Sequence, residues 1–348
     1  ANDVDDSALD PTTVEVVVGS GPANGTLQVD PDDGSITYFH DGSGLGSDSF
    51  TYVVNDDTAL TSNTATVTVK ITGEYGPTQI VGGQCPRIPS TFSATYTVRS
   101  EAEFESAYSI VQPGEAIVIE DGNHTWHTDH TLNKNGTPGN PIYIIYETLQ
   151  GAVFADSNTE FRITGSHHVI AGFRFNNSND EVFRINGPDN RIACHYMQTG
   201  GGEGYVYIEG GGAADRTEID NNIFDDHNAN AVNLVRCNPQ LPSCTNNPIG
   251  THIHHNTWKN KSPNGNGNAA IKLGSGYEES PGAMIYSVDA NNIDAIVENN
   301  HFENWNGEAE LISVKGDRNI IRNNCINGSA TSNIVIRQGS NNLLTGNW

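Results

Sequence analysis

Residues 297–326 read VENNHFENWNGEAELISVKGDRNIIRNNCI. The stretch begins and ends on one pattern, six residues with Asn at the fourth place and an apolar residue at each end. The same pattern occurs as IDNNIF at 219–224 and IHHNTW at 253–258, and in shortened form as LTGNW at 344–348. The repeated residues are Asn222, Asn256, Asn300, Asn324 and Asn347. The last two intervals are 24 and 23 residues, whereas the earlier ones, 34 and 44, require inserted loops. A repeat of this length with β-branched residues and a recurring Asn predicts one coil of a right-handed parallel β-helix. Each coil buries its apolar face on the next, and Asn side chains stacked in the turns hydrogen-bond up the ladder.

The composition agrees. The 348 residues include 37 Gly and 15 Pro, which argues against a helical protein. The one convincing helical stretch, SEAEFESAYSIVQPG at 100–114, is placed to cap the first coil. No stretch approaches the roughly 18 apolar residues of a membrane span, and the N-terminus lacks the pattern of a signal peptide. A formal charge of −25 argues against nucleic acid as a partner and suits a soluble, secreted protein. Residues 1–75 carry Lys70 against 13 acids, while 14 of the 17 Lys and Arg fall at or after Lys134, so an anionic ligand is expected on the second part. Cys85, Cys194, Cys237, Cys244 and Cys325 lack the paired spacing of a zinc site, and CNPQLPSC allows a loop closed through Cys237 and Cys244.

Residues 1–72 show a different period. TLQV, SITYF, SFTYVV and TATVTVKI alternate between Gly, Asp and Asn turns, as in a small β-sandwich. Gly25-Thr26-Leu27, Thr37-Tyr38, Asp48-Ser49-Phe50-Thr51-Tyr52 and Ala65-Thr66-Val67 resemble the bacterial immunoglobulin- and cadherin-like repeats, which act as spacers. In that family a strand precedes the segment matching ANDVDD, so the resemblance implies a missing first strand. A linker at 73–95 leads to the β-helix at 96–348, which stops at Trp348 in what reads as mid-stack. Self-assembly through the missing strand and the open coil end is therefore one expectation.

Chemistry concentrates in NGEAELISVKGD, 306–317. On a strand Glu308 and Glu310 share one face, about 7 Å apart, and repel unless a cation lies close by. Two solvated glutamates on an outer face remain the alternative. Strict alternation puts Lys315 on the opposite face, but the apolar pair Leu311-Ile312 suggests a bulge that resets the parity. Arg337, in NIVIRQG, follows Lys315 by 22 residues, about one coil. The two cations should then stand roughly 4.8 Å apart in adjacent strands, which is costly unless an anion lies against them.

GEAELISVKGD and IVIRQG together resemble the paired motifs of polysaccharide lyase family six, the alginate lyases and chondroitinase B type enzymes. VQPGEAIVIEDGNHTW, GTPGNPIYIIYET and ITGSHHVIAGFRFNN are similar to the opening of that family's domain, so the resemblance runs from about 95 to 348. It implies a calcium-assisted lyase of an anionic uronate polysaccharide such as alginate. Glu308, Glu310 and Asn266, with Asn268 as fallback, match the Ca²⁺ ligands. Lys315 and Arg337 match the catalytic base and acid. Lys272 stands where Arg is common and Gln338 where His is common, and both are assigned to substrate binding. His167-His168 and His252/His254-His255 read as structural residues of turns, and Asp225-Asp226-His227 as a polar turn. The competing class is a non-catalytic surface or filament protein that keeps a carbohydrate-binding groove.

Overall fold

The computed structural model describes residues 8–23, 25–40, 46–71, 84–155, 159–177, 181–199, 204–209, 214–226, 230–235, 247–265, 268–275 and 292–348. The chain divides into two compact units, Ala1–Glu74 and Tyr75–Trp348. In the first, Gly46–Asp56 lies between Leu9–Val16 and Ala65–Ile71 in an antiparallel sheet, and Gly25–Val29 pairs with Ile36–His40. The Asp48-Phe50 motif holds this unit together. The buried Asp48 carboxylate accepts hydrogen bonds from Tyr38 Oη at 3.0 Å and the Ala23 amide at 2.8 Å, while Phe50 is buried. Leu9–Val16 is a strand that alternation did not reveal, because its register shifts between Asp10 and Glu15 and the period of two is broken there. Residues 1–7, where the segment ANDVDD falls, lie outside the described residues.

The second unit is the parallel β-helix expected from the Asn repeat. Among the described residues its strands form three parallel sheets of 10, 8 and 8 strands, each strand pairing with its counterparts one coil before and after. The corners explain the doubled Asn. Gly172, Cys194, Asn221, His255, Asn299, Asn323 and Gly346 all take positive φ, between 53° and 84°, the left-handed conformation that Gly and Asn adopt at least cost. The residue after each turns inward. Asn256 shows the arrangement: its Oδ1 accepts the Asn222 amide at 2.9 Å, and its Nδ2 donates to the Ile219 carbonyl at 2.9 Å and to Asn300 Oδ1 at 3.1 Å. Asn300, Asn324 and Asn347 repeat it. His195 begins the row in place of Asn, with Nδ1 accepting the Phe173 amide and Nε2 donating to the Ile170 carbonyl. These bonds satisfy backbone groups that each turn would otherwise bury unpaired.

Inside the coils, equivalent aromatic residues stack at the strand spacing. Phe224 and Trp258 have centroids 4.9 Å apart, and Trp258 and Phe302 4.8 Å. The helix Glu101–Ile110 starts from a capping box of Ser100 and Glu103 and buries Phe104 and Tyr108 against Trp126, His130 and Phe161, as the cap was expected to do. A disulfide joins Cys85 to Cys194, and Arg191 Nη2 donates to the Pro86 carbonyl at 2.9 Å, so the segment around Cys85 is bound to the ten-stranded sheet. Cys237 and Cys244 lie outside the described residues. No described helix is long and apolar enough to cross a membrane.

Candidate active site

Among the described residues, Lys272, Glu308, Glu310, Lys315, Arg337 and Gln338 lie on or next to three neighbouring strands of one eight-stranded sheet, Ile271–Ser275, Glu310–Val314 and Asn333–Ile336. Its register aligns Leu273 with Val314 and Val314 with Ile336. Lys315 and Arg337 are the next residues, so each leaves the same point of its strand. Their amides are bonded in sequence, Lys315 N–H to the Leu273 carbonyl at 2.8 Å and Arg337 N–H to the Val314 carbonyl at 2.9 Å. The one-coil offset read from the spacing is thus realised in the backbone. The parity reset is also present. The register shifts between Glu310 and Ile312, and Leu311 and Ile312 are both buried.

Glu308 is placed by other means than the sequence suggested. The strand begins at Glu310, and 307–309 form a bend, so the two glutamates do not alternate along one strand. Gly307 makes the bend possible: a Cβ there would lie 2.4 Å from the Asn268 carbonyl oxygen and 3.0 Å from Lys261 Cγ. Ser332 Oγ then donates to the Glu308 carbonyl at 2.5 Å. Glu310 is mostly buried, and its Oε1 lies 3.2 Å from Nη1 of the half-exposed Arg337. Lys315 is buried, and Gln338 is exposed beside Arg337. Asn266 lies outside the described residues. Asn268 is buried, donates from Nδ2 to the Gly265 carbonyl at 3.0 Å, and is held against Gly307.

Two carboxylates and a neighbouring amide make an all-oxygen donor set, the kind that a hard cation takes. The close approach of Gly307 to Asn268 sets an amide-bearing residue beside the one that precedes Glu308, so the donor chemistry, oxygen throughout, is of the type calcium takes.

Lys272 occupies an outer position one coil before Ser313, in a row that runs Arg184, Tyr207, Asn233, Lys272, Ser313. The Arg184 guanidinium lies over the Tyr207 ring at 4.9 Å and pairs with Glu160, Glu181 and Glu209. Three residues near the site carried no signal in the sequence. Trp305 donates its indole N–H to the Asn268 carbonyl at 3.2 Å and so fixes the loop behind Glu308. Lys261 pairs in register with Trp305, and its buried Nζ lies 3.6 Å from Asp226 Oδ1. Burial pushes the Lys261 ammonium below its ordinary value, against the opposing pull of Asp226. Ser313 Oγ is buried and has no hydrogen-bond partner among the described residues.

The family model described as chondroitinase B matches residues 98–348, most of the chain. The chain belongs to the chondroitinase B family. The bacterial cadherin-like domain matches residues 1–73. Solved structures similar to this member of the family include the PL6 family alginate lyase AlyGC, at 19% identity and TM-score 0.58, covering 72% of this chain and 34% of that one. A mannuronic acid specific family 6 lyase from human gut microbiota aligns at 19% identity and TM-score 0.57, covering 73% of this chain and 58% of the other. A PL6 alginate lyase in complex with a trisaccharide aligns at 16% identity and TM-score 0.54, with coverages of 75% and 55%. At these identities the likeness concerns the fold, and the chain spans less than two thirds of the length of each. A search of curated proteins returns no match.

Proposed function

We propose that this chain is a secreted polysaccharide lyase that cleaves an anionic uronate polymer, alginate in the first instance, by calcium-assisted β-elimination. The observation that supports it most is the register that brings Lys315 and Arg337 to the same point of adjacent strands, with Glu310 against Arg337. Secretion is supported by the Cys85–Cys194 disulfide, which persists in oxidising compartments.

In this reading the amine of Lys315 takes the proton α to the uronate carboxylate. The electron pair left on that carbon forms a double bond to its neighbour, and the bond from the neighbour to the glycosidic oxygen breaks. Arg337 donates hydrogen bonds to the departing oxygen, and water supplies its proton, because a guanidinium rarely gives up its own. Glu308 and Glu310, with Asn266 or Asn268, would hold the calcium ion. Its charge there would neutralise the substrate carboxylate and make the charge developing on it less costly. Glu310 also orients Arg337, while Lys272 and Gln338 bind the polymer beside the scissile bond.

The test is incubation with alginate, polymannuronate, polyguluronate and dermatan sulfate, with and without a calcium chelator. The expected result is growth of unsaturated uronate absorbance on at least one polymer and its loss on chelation. No product on any of them would favour a non-catalytic carbohydrate-binding surface protein.

A further inference from the structure

The histidines read as turn residues divide in the structure. His255 takes a corner at φ 54°, but His252 and His254 lie on a strand of the ten-stranded sheet, between Glu218–Asp220 and Ile296–Glu298. We propose that Glu218, His252 and His254 form a binding site for a first-row divalent cation of borderline softness, zinc foremost, on the outer face of that sheet.

The two imidazoles leave the same face, with ring centroids 4.1 Å apart, and the register puts Glu218 beside His252. One ligand atom from each of the three residues lies within 4.8 Å of the others. A tetrahedral ion with bonds of about 2.0–2.1 Å needs its ligand atoms roughly 3.4 Å apart, a closure within reach of half-buried side chains. The surrounding groups supply the outer contacts that metal-bound imidazoles use. His252 Nε2 is 2.9 Å from Glu298 Oε1, and Arg322 Nε holds the same carboxylate at 2.6 Å. With Nε2–H donated to Glu298, His252 Nδ1 carries the lone pair. His254 Nε2 lies 2.7 Å from Glu218 Oε1, and its Nδ1 lies 2.8 Å from His255 Nδ1. A cation at His254 Nε2 replaces the hydrogen there. The ring then carries its proton on Nδ1 and donates it to His255, whose own proton moves to Nε2, so the two rings hold two protons before and after. Arg87, bonded to both oxygens of Glu218 at 3.1 and 2.7 Å, fixes the carboxylate while lone pairs remain for the ion. Two imidazoles with one carboxylate favour Zn²⁺, Cu²⁺ or Ni²⁺ over Ca²⁺. This site lies on a different sheet from Lys315 and Arg337 and does not depend on lyase activity.

The test is titration of the metal-free full chain with Zn²⁺ by calorimetry and with Co²⁺ by visible absorption. One equivalent should bind, Co²⁺ should give the intense band of a four-coordinate site, and excess Ca²⁺ should not displace it. His252→Ala and His254→Ala should each weaken binding by roughly 100-fold or more, beyond the effect typical of outer-shell partners, while the exposed His127→Ala leaves it unchanged. Should His254→Ala fail to fold, His252→Gln read by the Co²⁺ band replaces it. The absence of binding, binding that survives loss of His252, or ready displacement by Ca²⁺ would each overturn the proposal.

Discussion

Two outer faces of the same coils use stacking to opposite ends. On the ten-stranded sheet, acidic and basic residue types alternate from coil to coil: Arg191 beside Glu218 beside His252, and Asp220, His254, Glu298 and Arg322 in one row. The charges close on one another. Arg191 grips the buried Asp220 with two bonds of 2.7 Å, and Arg322 holds Glu298. On the sheet carrying the candidate active site, the sign repeats instead: Lys315 and Arg337 follow one another with acidic groups to the side. A strand spacing near 4.8 Å turns alternation into a ladder of ion pairs, whereas repetition sets two cations side by side. One architecture therefore carries two kinds of charge row, and the order of residues decides which.

The sharpest way to break this contrast is Lys315→Ala. It should lower turnover on the responsive polymer by roughly a thousandfold, the scale of a lost general base, while circular dichroism shows the chain still folded. Retained activity would take Lys315 out of the mechanism. On the ten-stranded sheet the matching change is Asp220→Ala, which leaves the buried Arg191 only the more distant Glu218, 3.9 Å away. It should cost about 3–5 kcal/mol by urea unfolding without altering turnover per folded molecule. Acid should act on the core beneath both faces. Burial pushes His168 down to about 4, so below its ordinary value of 6.5 the unfolded chain binds the proton that the folded one refuses. Stability should fall as pH drops from about 6.5 to about 4, by on the order of 3 kcal/mol, and His168→Gln should flatten that part of the urea profile. The buried His195, pushed down to about 3 by the same cause, adds in the same direction. Lys272→Ala should raise KM roughly tenfold with kcat kept, as loss of ground-state binding does. The smallest effect belongs to Arg322→Ala, whose half-exposed guanidinium contributes about 0–1 kcal/mol, measured by thermal unfolding and shrinking in salt.

The coil repeat was legible because each turn needs the same two things, a residue at positive φ and an inward amide, and Asn supplies both cheaply. Where other residues do these jobs, as Cys194 and His195 do, the pattern disappears from the text. Leu9–Val16 was hidden by a bulge, and Glu308 was assigned to a strand that begins two residues later. The bend at Gly307 depends on Asn268 and Lys261, contacts that sequence spacing does not encode. The disulfide also escaped, since Cys85 and Cys194 are 109 residues apart and meet through coil stacking.

The order of residues alone determined the coil period, the Asn ladder and the one-coil offset between Lys315 and Arg337. These follow from local backbone preferences repeated at a fixed interval. Tertiary structure decided which glutamate meets Arg337, where Glu308 sits, and that His252, His254 and Glu218 converge. Those facts depend on how inserted loops of unequal length return the chain to register, and no local preference carries that information.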